Sequence, residues 1–242
     1  DYSDFNLSLY PKNAEAVTSI ENLTGEGGVE FLYITGSRGC VRNCSFCDIK
    51  SQWPKFVFRS SDEVAGEMAY QNRKHKVSEF YFTDSLLNGS IKSLVGLCET
   101  LIKFKESGEI DQAIKWSGQL NCYSKKKMTP EVYELMARAG CFHVSTGVES
   151  GSESVRQHMG KYFLNEDIVY TMQSLQKNNM GCGLLMMVGY PTEERLDFEE
   201  SKKLLATLLP YKGNTIKNVA IGPTALILPG SPLQMKMDEM GI

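Results

Sequence analysis

The sequence GCVRNCSFCD, residues 39–48, places Cys40, Cys44 and Cys47 in one short loop, and the architecture follows from asking what such a loop is mounted on. The Cys-x₃-Cys-x₂-Cys spacing turns three sulfurs toward a common centre, with Gly36, Ser37 and Gly39 just upstream to let the backbone bend. Structural zinc takes four protein ligands, and the nearest additions, Asp48 and the distant His75, suit a three-thiolate set poorly. Thiolates also hold iron–sulfur clusters, where three cysteines on a cubane leave the fourth iron open to an outside ligand. From residue chemistry alone, a cluster, a zinc site and a chance grouping all stand. The cysteine total is seven, odd in number and uneven in spacing, which favours reduced thiols over a disulfide framework.

The loop follows an apolar run, FLYIT (31–35), and comparable runs recur: EFYFT (79–83), IKWSGQL (114–120), HVSTGV (143–148), GLLMMV (183–188) and NVAIGPTALIL (218–228). Between them lie segments with helical apolar spacing. Examples are Ile91, Leu94, Val95, Cys98, Leu101 and Ile102, and the set Val132, Leu135, Met136 and Ala139 after the start signal Thr129-Pro130. Gly140 and Gly181 stand where helices should end. Alternation of this kind predicts parallel β/α units, and six of them make either an incomplete barrel or a doubly wound sheet. In both, ligands sit at the carboxyl ends of the strands. The polar stretches fall in those loops: DSLLNGS after the second strand, NCYSKKKMTP after the third, ESGSES after the fourth and GYPTEER after the fifth.

Composition agrees with a soluble globular protein: 242 residues, 42% hydrophobic and 23% charged, with a net charge of −3 that gives no general attraction to nucleic acid or anionic membrane. No run approaches the roughly 18–20 apolar residues of a spanning helix, and the start, DYSDFNLSLYPKN, lacks the regions of a signal peptide. A cytoplasmic location is expected. Because the chain starts at Asp1, it reads as a piece excised from a longer one.

The loop CVRNCSFC, with an aromatic before its third cysteine, resembles the cluster loop of the radical S-adenosylmethionine (SAM) superfamily. FYFTDS, GVESGSESV, MMVGYPTEE and LILPGSPL are similar to that family's motifs on the second, fourth, fifth and sixth strands. The set is nearest the subgroup of methylthiotransferases, Elongator-type tRNA enzymes and cobalamin-dependent enzymes. The resemblance implies a partial (β/α)6 TIM-like barrel of parallel strands. It also implies a [4Fe-4S] cluster on Cys40, Cys44 and Cys47, and cleavage of SAM to methionine and a 5′-deoxyadenosyl radical. Phe46 would support the adenine. Asp84, with Ser85 beside it, would reach the SAM ammonium, although TDSLLNG replaces the family's Gly-Gly-Glu. Glu149 and Ser150 would address the ribose or amino-acid end, Lys161 the SAM carboxylate, and Val188, Gly189 and Pro191 the adenine pocket.

Three segments follow: a lead-in over 1–30, a core over 31–230, and a C-terminal segment over 231–242 leading toward a further domain. An external one-electron reductant of flavodoxin or ferredoxin type is implied. Cobalamin would need sequence beyond this chain, since the base-off motif Asp-x-His-x-x-Gly is absent. Plainer readings accompany these. Strand-end acids such as Asp84 and Glu149 often cap helices, and Gly147, Gly151 and Gly189 serve as turn formers. Cys98 and Cys182 read as core residues, whereas Cys122 and Cys141, near strand ends, are open to a substrate-facing role. Lys125, Lys126 and Lys127 are either solvated charge or a lure for an anionic substrate such as RNA or a phosphorylated metabolite. The rival class is a non-catalytic iron–sulfur or zinc module.

Overall fold

A computed structural model describes residues 31–237. Six strands form one parallel sheet in chain order: β1 (Phe31–Ile34), β4 (Glu79–Phe82), β5 (Lys115–Leu120), β6 (Cys141–Glu149), β7 (Gly181–Val188) and β8 (Ile216–Thr224). A doubly wound sheet reverses its strand order at a switch point. Here the order never reverses, so each right-handed crossover returns on the same side and the helices cover one face only. Strands β1 and β8 do not pair, which makes this a partial (β/α)6 barrel, open between its two edge strands. Tyr33, on the face of β1 opposite the core residues Leu32 and Ile34, is exposed, and so are Val219 and Ile221 on the other edge strand, in register with the core residues Leu184 and Met186.

The core lies between sheet and helices. Leu32, Ile34, Phe80, Phe82, Trp116, Val144 and Leu184 meet Val64, Met68, Leu94, Leu101, Met136, Ile168, Met172 and Leu204. The helices are α1 (Ile49–Gln52), α2 (Ser61–His75), α3 (Ile91–Glu106), α4 (Pro130–Ala139), α5 (Glu153–His158), α6 (Asn165–Lys177), α7 (Arg195–Leu208) and α8 (Pro232–Met235). Local chemistry sets their ends. Ser60 and Glu63 make a reciprocal capping box at the start of α2. Pro130 takes the first position of α4, and Gly140, at φ 104°, ends it.

Gly181 does not end a helix. Asn179, at φ 54°, takes that left-handed turn after α6, and Gly181 opens β7, where a Cβ would come 2.9 Å from the His143 ring. The fourth strand starts two residues before the apolar run that announces it, and the last strand ends at Thr224, short of Leu228. A two-stranded ribbon, β2 (Ser37–Arg38) with β3 (Val57–Phe58), had no counterpart in the sequence pattern. Among the described residues no helix is long and apolar enough to cross a membrane. The lead-in over 1–30 lies outside the described residues.

Candidate functional site

The cysteine loop is seated from three directions. After β1 the chain enters the β2–β3 ribbon, and Gly39 (φ 79°) packs so closely on the Lys55 carbonyl that a side chain there would collide with it. The Ser45 amide donates to the Met159 carbonyl (2.9 Å), and the Ser45 carbonyl accepts from the Leu233 amide (2.7 Å). The Ser45 and Tyr190 hydroxyls are 2.7 Å apart, and Tyr190 Oη donates on to the His158 carbonyl at 3.3 Å. A Cβ at Gly160 (φ 79°) would stand 2.9 Å from the Asn43 carbonyl oxygen. Beneath the loop, Phe46 and Met187 pack against buried Val155, Met159, Tyr190 and Leu233. A loop with so few apolar side chains of its own is therefore fixed by backbone bonds and by one small cluster.

All seven cysteines are free thiols. Burial pushes the Cys44 thiol up, the Lys161 ammonium offsets part of that, and Cys47 and Cys40 push it further up. Cys47 is also raised by burial. Cys44 and Cys47 thus each feel the neighbouring sulfur of Cys40 and the Lys161 cation. As a donor set the three sulfurs fit a cluster, because bound iron would supply the positive charge that holds them as thiolates. Among the described residues no group of three or more His, Cys, Asp or Glu side chains is close enough to hold a single metal ion, so no fourth ligand completes a zinc set. The other four cysteines are buried apart from the loop. Cys122 Sγ lies 3.5 Å from Thr146 Oγ1, and Cys141 and Cys182 face the carbonyls of His143 and Gly183.

At the carboxyl end of β6, Glu149 holds φ 65°, a conformation uncommon outside glycine and frequent at functional sites. Its Oε1 accepts from Lys161 Nζ at 3.0 Å, and the same ammonium donates to the Gly147 carbonyl at 2.7 Å. Both side chains are about nine-tenths buried, at 12% and 10% exposed. Lys161 also lies 5.8 Å from the Phe46 ring centroid. Gly147 is more than a turn former, since a Cβ there would strike Glu149 Oε1 and lie 2.8 Å from Lys161 Nζ. The fold therefore gathers Cys44, Cys47, Phe46, Glu149 and Lys161 at one strand end.

The other sequence candidates have partners and positions of their own. Asp84 is buried and accepts from the Gly36 amide (2.8 Å) and from Ser37 Oγ, so its carboxylate pins the turn after β1; burial raises its pKa against those bonds. Ser85 is exposed beside it. The Ser150 hydroxyl faces Ser201 of α7 (3.3 Å), and its carbonyl accepts from Arg156. Arg156, fully buried, also reaches Asn165 Oδ1 (2.8 Å) and the Phe163 carbonyl (3.3 Å), bracing the segment between Glu149 and Lys161. The sequence offered no sign of that arginine beyond its place in a helix capped by Ser152. Val188, Gly189 and Pro191 follow one another at the end of β7, where the Gly189 amide donates to Glu193 Oε2 (2.6 Å).

A family model described as the Radical SAM superfamily matches residues 34–205. A protein described as an uncharacterized methyltransferase of Pyrococcus horikoshii is 24% identical over 211 residues, covering 83% of this chain and 44% of that protein. The ribosomal protein uS12 methylthiotransferase of Chlorobium phaeovibrioides is 25% identical over 193 residues, covering 77% of this chain and 43% of that protein. The radical SAM methyltransferase TsrM of Kitasatospora setae, solved with cobalamin and a [4Fe-4S] cluster, superposes with a TM-score of 0.74 at 17% identity, over 87% of this chain and 37% of that one. The chain spans less than half the length of these relatives.

Proposed function

Because the chain belongs to the radical SAM superfamily, we propose that it is the catalytic core of an enzyme that cleaves SAM reductively at a [4Fe-4S] cluster held by Cys40, Cys44 and Cys47. The observation that carries this is the three-thiol loop, seated at the carboxyl ends of the strands with Glu149, Lys161 and Phe46 gathered beside it. When bound, the cluster supplies one electron to SAM, which yields methionine and a 5′-deoxyadenosyl radical. The protein's own work is placement. Lys161, held by Gly147 and Glu149, presents a fixed cation beside the loop for an anionic group such as the SAM carboxylate. Glu149 presents an acceptor for ammonium or ribose hydroxyls, and Phe46 an apolar face for the adenine, with Val188, Gly189 and Pro191 on the far wall. Asp84 acts at one remove, by fixing the turn that leads into the cysteines.

An external one-electron donor, of flavodoxin or ferredoxin type, completes the reaction. The names of the relatives favour methyl or methylthio transfer as the reaction class. The cobalamin-dependent variant would place cobalamin on sequence outside these residues. The test is anaerobic reconstitution followed by dithionite and SAM, with mass spectrometry of the products. 5′-Deoxyadenosine is expected, and S-adenosylhomocysteine would accompany methyl transfer. A brown, cluster-bearing protein that neither binds nor cleaves SAM would instead be an electron-carrying module.

A further inference from the structure

Beside the cysteine loop, at the carboxyl end of β5, two cations lie against one buried tyrosine. Arg42, between Cys40 and Cys44, places its guanidinium 5.0 Å from the Tyr123 ring centroid, and Lys127 places its ammonium 3.6 Å from it. Tyr123 is 5% exposed, and its hydroxyl has no hydrogen-bond partner. A buried hydroxyl without a partner is rare and costly, and it asks for a group that the protein does not supply. Arg42 is held in place: with its amide oxygen turned toward the guanidinium, Asn121 accepts from Nη2 at 2.8 Å and Nε at 3.0 Å. Asn121 is itself fixed through its backbone by Asn88, whose side chain donates to its carbonyl (2.8 Å) and accepts from its amide (2.9 Å). Among the described residues neither Arg42 nor Lys127 has a carboxylate partner within ion-pair distance. Two such charges on one ring, nearer than a Debye length of about 10 Å at 0.1 M salt, repel each other and favour an anion beside them. The three lysines of the run are not equivalent: Lys125 acts on Glu131, whereas Lys127 turns back onto Tyr123.

We propose that Arg42, Tyr123 and Lys127 form an anion-binding subsite on the cysteine-loop rim of the barrel, which takes a carboxylate or phosphate of the substrate. The arriving oxygens accept from the guanidinium and the ammonium, and as Lys127 leaves the ring for the anion, the tyrosine hydroxyl gains an acceptor. The assignment to substrate rests on the proposed SAM chemistry, but anion binding itself can be read without it. The test is isothermal titration of the purified protein with inorganic phosphate and with succinate at fixed ionic strength, before and after cluster reconstitution, with and without SAM. Saturable binding of one probe is expected, weakened about tenfold or more in Lys127→Gln and in Tyr123→Phe. It should be unchanged in Lys126→Gln and largely restored in Lys127→Arg. Thermal melts matching the unsubstituted protein certify that the variants fold. Absence of saturable binding, or binding by Tyr123→Phe and Lys127→Gln as tight as by the unsubstituted protein, overturns the proposal. Competition by SAM would assign the cations to the SAM carboxylate and overturn the substrate reading. Failure of SAM cleavage with phosphate binding intact would count against the proposed function alone.

Discussion

Replacing Gly160 by Ala should damage the cysteine loop without touching a cysteine. Two costs arise there. Alanine at φ 79° sits in the left-handed region, at about 1–2 kcal/mol. Its Cβ would also stand 2.9 Å from the Asn43 carbonyl oxygen, a backbone atom of the loop between Cys40 and Cys44 that cannot rotate away. Overpacking of this kind costs about 1–3 kcal/mol. Gly108 separates the two effects, because it has a similar φ of 75° and nothing within 4 Å of its would-be Cβ. Gly108→Ala should therefore lose about 1–2 kcal/mol in urea denaturation and keep its full iron and sulfide content. Gly160→Ala should lose about 2–5 kcal/mol, the sum of both costs. It should also reconstitute with markedly less iron, because the Asn43 backbone must shift and carry its neighbouring thiols with it. Equal destabilisation of the two variants, with equal iron, would refute the claim that residues 159–160 seat the loop.

Single Cys→Ser changes at Cys40, Cys44 or Cys47 should each abolish cluster retention, while changes at Cys98, Cys122, Cys141 or Cys182 leave iron counts near the unsubstituted level; an equal requirement for Cys98 would remove the triad assignment. Gly147→Ala should push Glu149 away from Lys161 and weaken SAM binding about tenfold or more while the cluster's absorption persists, and unaltered affinity in a titration would take that ion pair out of the SAM site. His143 is held down to about 4 from 6.5, first by burial and then by Lys217. Below pH 6.5 the unfolded chain takes up a proton that the folded one refuses until near pH 4, so stability should fall with pH through that window by on the order of 3 kcal/mol. His143→Gln should lack that part of the slope, and identical slopes for the two proteins would show that His143 contributes nothing to it.

What could be read from the sequence was what short range determines. The three cysteines, their glycines and the strand that precedes them are local, and so is the helix start at Thr129-Pro130. What could not be read depends on which strands become neighbours. Asp84 meets Gly36 and Ser37 only because β1 and β4 lie side by side, 48 positions apart along the chain, and the carboxylate then serves the turn more than the mouth. The ribbon of β2 and β3 has two residues per strand, too few for any alternation to register, and its Val57 and Phe58 are exposed. Arg156 would pass for a surface residue until the fold buries it among carbonyls. In the run Lys125-Lys126-Lys127, three identical side chains hide the one that turns onto Tyr123.

The bonds to Ser45 also set an order of assembly. The residue lies early in the chain, but its amide waits for Met159 and its carbonyl for Leu233, so both braces leave the ribosome long after the thiols do. Each strand of the sheet pairs with a sheet strand already made, which lets the β/α units add one at a time as they emerge. The cysteine loop is the exception, closing over a contour of nearly the whole described chain. The seat of the three thiols is thus finished last, and until then they stand unbraced. The last brace on these thiols is in place only once α8 has been made.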